Sequence, residues 1–207
     1  MLKQFLKRVN GLKRPKLHKP GKKTAIALIV CIWITIAGYF LFLILAPMVD
    51  YQVKGDIRDE VKGLNTDKPI EMPNSILIPT IKVKEEIFEG DVSALDKGIW
   101  HRKPELGDPE IGGNFIITGH RFHMGMTPGD SVENSPLYPI DKLQTGDLIY
   151  IVWNKKSYKY EITKIYEVKP TQMEIEDRSD SAKLTLYTCT LGGRWDGRVV
   201  VEAMPVE

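Results

Sequence analysis

Three residues of this 207-residue chain combine into an acyl-transfer chemistry: Cys189, His120 and Arg198. A thiol of ordinary pKa, about 8.5, is only a few per cent thiolate at neutral pH, yet it is intrinsically very nucleophilic. A neighbouring imidazole takes its proton, or pairs with the thiolate as imidazolium, and later protonates a leaving amine. A guanidinium carries a permanent charge and fixed donors, suited to a substrate carbonyl or to the oxyanion formed when a thiol attacks it. Each residue alone is a weak signal, because a single His or Arg is more often a solvated or hydrogen-bonded surface group.

The elements around them supply the positioning. Asn114–Thr118 follows the turn signal Gly112-Gly113 and reads as a strand, with Thr118-Gly119-His120 at its end. Leu184–Cys189 is a second strand ending at the thiol, and Arg198 opens a third over Arg198–Met204. Ser75–Pro79, Ile81–Phe88 and the apolar run Leu148–Trp153 add three more. Over 158–168 the even positions Tyr158, Tyr160, Ile162, Tyr166 and Val168 are apolar, the pattern of a half-buried strand. Helical periodicity is scarce, with a turn or two expected at Val92–Lys97 and Leu137–Leu143. Seven or eight short strands in about 135 residues predict an all-β domain, a closed barrel or sandwich. Two long connections, His120–Tyr138 and Thr190–Gly197, each begin beside a reactive residue, and long loops in compact β domains tend to carry function.

Upstream lies a different kind of sequence. Thr24 to Val49 contains no ionisable side chain other than Cys31, and as a helix it reaches roughly 39 Å against about 30 Å of hydrocarbon. Nine bases precede it with no acid: Lys3, Lys7, Arg8, Lys13, Arg14, Lys16, Lys19, Lys22 and Lys23. The positive-inside rule places the N-terminus in the cytoplasm and everything after Asp50 outside. The apolar stretch is longer than that of a cleaved signal peptide, and Ala46-Pro47-Met48-Val49-Asp50 is a poor cleavage site, so an uncleaved single-pass anchor is expected.

Composition supports this division. The chain is 43% hydrophobic and 27% charged, as in ordinary globular proteins. Its net charge of +2 averages the basic tail with residues 50–207, which hold 20 bases and all 27 acids. A folded part that is net negative argues against nucleic acid as a ligand. Cys31 lies in the apolar segment and Cys189 outside it, so the two do not pair within one chain. An unpaired thiol in an oxidising compartment calls for a reason: a buried inert group, an intermolecular disulfide, or chemistry.

The combination of a membrane anchor, Thr-Gly-His after a hydrophobic strand, and Thr185-Leu-x-Thr-Cys189 with an Arg nine residues on resembles the sortases. These are membrane-anchored cysteine transpeptidases of mainly Gram-positive-type cell envelopes. The resemblance extends through Ser75–Val83, Gly98-Ile-Trp-His101, Gly112–Arg121, Leu143–Asp147 and Arg198–Ala203, covering residues 75–204. It implies an eight-stranded β-barrel, with Cys189 as nucleophile, His120 as acid/base and Arg198 as donor to the oxyanion and substrate backbone. It further implies cleavage of a Leu-Pro-x-Thr-Gly-like C-terminal sorting signal between Thr and Gly. By the same resemblance, a thioacyl-enzyme is expected on Cys189, passing to an amine of the cell envelope, in the family usually on a peptidoglycan precursor. Secreted proteins bearing the signal are the expected partners. No cofactor is expected.

This chain departs from many sortases after the cysteine, where it reads Thr190-Leu-Gly-Gly-Arg-Trp-Asp-Gly197. Arg194 is therefore a second candidate guanidinium, and His101 and His123 are alternative bases. Thr188 and Trp195 are candidate substrate-binding residues, with packing an equal expectation for Trp195. A zinc site from His101, His120, His123 and Cys189 has the right donor types but lacks the compact ligand spacing of structural sites. Glu85, Glu86, Glu89 and Asp91 match a region where some sortases bind calcium, although a solvated acidic face is the simpler expectation. The expected organisation is a basic cytoplasmic tail at 1–23, the anchor at 24–49, a charged stalk at 50–73 with a short helix over 52–63, and the catalytic domain at 74–207. Two alternatives share the fold: a non-catalytic barrel that binds sorting peptides or envelope glycans, and a cysteine peptidase that resolves the thioacyl with water.

Overall fold

The computed structural model describes residues 21–64 and 68–206. The tail bases Lys3 to Lys19 and the stalk acid Asp67 lie outside the described residues. The chain divides into two compact units, Met1–Phe40 and Leu41–Glu207. Helix α1, Lys22–Val53, is long and apolar enough to cross a membrane. A hydroxyl in such a helix needs an internal partner, and Thr35 Oγ1 finds one in the carbonyl of Cys31 at 2.9 Å.

Residues 41–64 belong to the second unit and sit against it. Lys82 Nζ donates to the carbonyls of Tyr51 (3.2 Å) and Lys54 (2.7 Å), so a cation meets the C-terminal end of α1, where the helix dipole favours one. The stretch expected as a stalk with a helix over 52–63 is broken after Lys54, at the Gly55-Asp56 step. Among its described residues it holds the last turn of α1 and a short helix α2, Arg58–Lys62. Ile57, Val61 and Leu64 bury themselves on Leu77 and Val152, so this segment is part of the packed domain rather than a free spacer.

Among the described residues nine strands follow: β1 Ser75–Ile78, β2 Val83–Phe88, β3 Ile99–His101, β4 Gly107–Asp108, β5 Gly112–Thr118, β6 Leu148–Trp153, β7 Lys156–Val168, β8 Lys183–Thr190 and β9 Gly193–Pro205. Neighbours run β3-β2-β1-β6-β7-β9-β8-β5, and β5 pairs back onto β3, closing an eight-stranded barrel with β4 appended to β5. Alternating residues of these strands fill it, among them Ile76 and Ile78, Phe115 and Ile117, Ile149 and Ile151, Leu184 and Leu186, and Val199 and Val201. Parts of the outer face are covered too, by α2 over Leu77 and Val152, and by Ile175 over Ile116, Tyr187 and Val200. That second layer explains why β6 reads as a continuous apolar run.

On β2, Glu85 lies in a cleft with Lys54, Asp50 and Glu133. Burial pushes its carboxyl above the usual range, Lys54 opposes the shift, and Glu133 and Asp50 add to it. A carboxyl whose folded pKa is raised stabilises the fold at low pH and loses that contribution as pH rises through the raised value. Glu85→Gln is therefore expected to melt above the wild type at pH 7 and together with it near pH 4, in thermal scans of the full chain.

Candidate active site

The parallel pair β5 and β8 is the origin of the site. Its register runs from Asn114 opposite Lys183 to Thr118 opposite Tyr187, a constant offset of 69 residues. His120 and Cys189 are separated by the same 69 residues. The ladder ends at Thr118–Tyr187, so His120 and Cys189 each lie two residues beyond its last pair, and both line one cleft. On the other side of β8, Cys189 stands directly opposite Arg198 in the antiparallel pair with β9. Thiol and guanidinium come from the adjacent strands β8 and β9, the imidazole from the connection just after β5, and all three line one cleft of about 590 Å³.

Thr188, expected as a substrate-binding residue, is buried, and its Oγ1 donates to the carbonyl of Gly119 at 2.7 Å. The hydroxyl ties the cysteine strand to the residue before His120, so its role here is positional. Thr188→Val leaves that buried carbonyl without its donor and is expected to cost about 1–3 kcal/mol in chemical denaturation. Gly119 itself sits in close quarters, where a Cβ would come 2.6 Å from Ile99 Cδ1.

The Cys189 thiol is half-buried and unpaired, not sequestered in the core. Arg198 Nη1 donates to the carbonyls of Arg194 and Gly197, 3.0 Å each, which fixes one corner of its fork. Arg194 is exposed and stacks on Trp195, its Cζ 4.7 Å from the ring centroid. Trp195 is 81% exposed and lies outside the residues that line the cleft. The expected long connection Thr190–Gly197 is in fact a bulged hairpin. Thr190 pairs with Gly193, the register then slips to Cys189–Arg198, and Thr190 Oγ1 donates to Asp196 Oδ2 at 2.5 Å.

His120 Nε2 lies 3.3 Å from Asp96 Oδ1, and its ring meets that of His123 edge to face. His101 is elsewhere. It is 1% exposed, bonded to Glu89 (3.0 Å) and the Gly107 carbonyl (3.1 Å), and wedged against Phe115 and Trp153. That removes it both as a base and as a zinc partner for His120. The acids Glu85, Glu86, Glu89 and Asp91 do not converge among the described residues: Glu89 serves His101, and Asp91 caps the turn Val92–Asp96 through Ser93 N–H.

Besides Asp96 beside His120, two further features are not read from the sequence. The connection His120–Tyr138 contains a helix, α3 Pro128–Glu133, with Thr127 and Asp130 in a reciprocal capping box. Thr127-Pro128-x-Asp130, with proline at the first helical position, was a legible start signal. The second is Glu176, fully buried in the β7–β8 connection. It takes Arg102 Nε at 2.8 Å, Lys103 Nζ at 3.0 Å and the Tyr187 hydroxyl at 2.6 Å. Burial and the adjoining carboxylate push the Tyr187 phenol far above its ordinary range, so it remains a donor. These contacts hold the connection as a cleft wall, presenting Met173 and Gln172.

A half-buried thiol and a guanidinium on neighbouring strands of a closed barrel, with an imidazole from the connection after β5 lining the same cleft, form a site fit for acyl transfer at a carbonyl. The Sortase domain family model matches residues 76–206, and this chain belongs to the sortase family. Sortase A of Listeria monocytogenes is 31% identical over 133 residues, covering 62% of this chain and 54% of that protein. Sortase A of Staphylococcus aureus is 25% identical over 171 residues, 77% of each chain. Among solved structures, a Clostridium perfringens sortase D5 transpeptidase matches with a TM-score of 0.55 at 27% identity, covering 80% of this chain and 96% of that one. The chain spans little more than half the length of the Listeria and Bacillus anthracis sortases A, 54% and 57%.

Proposed function

We propose that this protein is a cysteine transpeptidase that cuts a Leu-Pro-x-Thr-Gly-like sorting signal between Thr and Gly and joins the new C-terminus to a cell-envelope amine. The observation that carries this reading is the shared offset of 69 residues, in the β5–β8 register and between His120 and Cys189. The Cys189 thiolate attacks the Thr carbonyl, and Arg198 stabilises the oxyanion. As the intermediate collapses, the C–N bond to Gly breaks and His120 gives its proton to the departing amine. A thioacyl-enzyme remains. An incoming amine attacks its carbonyl, His120 takes the proton, and the C–S bond breaks to return the thiolate.

The donor substrates are secreted proteins carrying the signal, and the acceptor is an amine on a peptidoglycan precursor. The anchor at 24–49 keeps the enzyme on the membrane, with the tail at 1–23 cytoplasmic and the domain at 74–207 outside. The apolar, uncharged stretch 24–49 within α1 and the bases before it support this topology. Thr188 acts as a positioning residue. Trp195 and Arg194 form an exposed platform at the mouth of the cleft, where a longer substrate runs past Cys189.

Intact mass spectrometry of the full chain in detergent, incubated with Leu-Pro-x-Thr-Gly-like peptides, tests this directly. A thioacyl adduct on the wild type, absent in Cys189→Ala and converted to an amide when an amine is added, is the expected result. An adduct released equally fast with and without amine would make the enzyme a peptidase. The lack of any adduct from folded protein would leave only a binding role.

A further inference from the structure

We propose that Asp96, His120 and His123 form a binding site for a single zinc-type divalent cation, and that the bound ion switches off the imidazole used for proton transfer. One donor atom from each residue lies within 4.8 Å of the others, the only such grouping of three His, Cys, Asp or Glu side chains among the described residues. His120 Nε2 and Asp96 Oδ1 stand 3.3 Å apart, and the two rings lie 4.9 Å apart at 75°. Zinc bonds of ~2.0–2.2 Å set neighbouring tetrahedral donors about 3.4 Å apart, so the Asp96–His120 edge already has the required length. Small side-chain rotations bring in His123.

The donor chemistry selects the ion. Two imidazole nitrogens and one carboxylate suit zinc and its neighbours, whereas calcium and magnesium want a shell of oxygens. Three protein ligands with a position left for water make an exchangeable site rather than a closed structural one. Cys189 is not among the clustered donors, so this site is chemically separate from zinc capture by the thiol.

The backbones carrying the three ligands are each pinned. Asp96 ends the turn Val92–Asp96, closed by Lys97 N–H on the Ala94 carbonyl at 3.1 Å. The His120 carbonyl accepts from Leu137 N–H at 3.1 Å. His123 N–H donates to Ser135 Oγ at 3.0 Å. Donors held on ordered backbone lose little freedom when an ion arrives. Once the ion takes the His120 nitrogen, that atom no longer carries a proton between thiol and amine. This switching role rests on His120 as the acid/base of the proposed reaction; the binding itself does not.

Zinc alone is the probe, because copper would bind such donors more tightly and also oxidise the thiol. The full chain in detergent is titrated against a chromogenic chelator. The expected result is one zinc per chain, with Kd raised at least about tenfold (~1.4 kcal/mol) by His123→Gln and by Asp96→Asn, and changed less than about twofold by Cys189→Ser. Asp96 and His123 are both exposed, so these variants retain the fold. In parallel, the zinc concentration that halves Cys189 acylation, each variant measured against its own zinc-free rate, rises by the same factor in His123→Gln. Affinity that follows Cys189 and ignores His123 and Asp96, or no binding at all, overturns the site. Zinc that binds there yet leaves acylation untouched overturns the switch. A protein that binds zinc as expected but is never acylated refutes the proposed reaction instead.

Discussion

His120→Ala is expected to lower kcat/KM for peptide transfer by about 10²–10⁴-fold, the range a positioned acid/base supplies. The loss should depend on the leaving group. Expelling the glycine amine requires a proton, and His120, which lines the cleft with Cys189 and follows β5 by the same two residues that Cys189 lies beyond Tyr187, is the proposed donor. A peptide ester whose alcohol leaves as a weakly basic phenolate needs no such proton, so above about pH 8.5, where an ordinary thiol ionises without a base, the variant should regain most of its acylation rate on that substrate. Amide and ester losses of equal size would assign His120 to holding the cleft together rather than to proton transfer. His123→Gln separates the two neighbouring rings, and if it matched His120→Ala on the amide, the base would have been misassigned.

The residues of this prediction were legible in the sequence because strands carry local signals. Alternation over 158–168 and the apolar run Leu148–Trp153 located β7 and β6 to within two residues, and the turn at Gly112-Gly113 located β5. β3 and β4 left no such signal. Three and two residues are too few for periodicity, and their extended state is imposed by pairing with β2 and β5. The hairpin after Cys189 looks like a long loop in the sequence because Arg194–Gly197 bulge out between Thr190–Gly193 and Cys189–Arg198, a register slip that no residue type announces. Asp96 and Glu176 were missed for a related reason. Their partners lie 24 residues away at His120 and 74 away at Arg102, and an acid in a polar loop reads as solvated until the fold brings a cation or imidazole to it.

Arg198 carries the second large effect. Its pairing opposite Cys189 and the two carbonyls holding Nη1 support the proposed role of a preoriented donor to the attacked carbonyl. Removing one such donor costs about 10²–10³ in kcat, so Arg198→Ala should lose that much while iodoacetamide still alkylates Cys189, a reaction with no oxyanion to stabilise. Arg198→Lys should recover little. An ammonium keeps the charge but lacks the planar fork that bonds the Arg194 and Gly197 carbonyls through one corner and leaves another to face the cleft. Arg194 makes the contrast sharp. It lines the same cleft, yet it stacks on Trp195 at the exposed end of the bulge, so Arg194→Ala should change KM by a few fold and kcat hardly at all. If Arg194→Ala instead abolished turnover while Arg198→Ala kept it, the oxyanion donor would come from the bulge, and the register argument would explain only how the barrel closes.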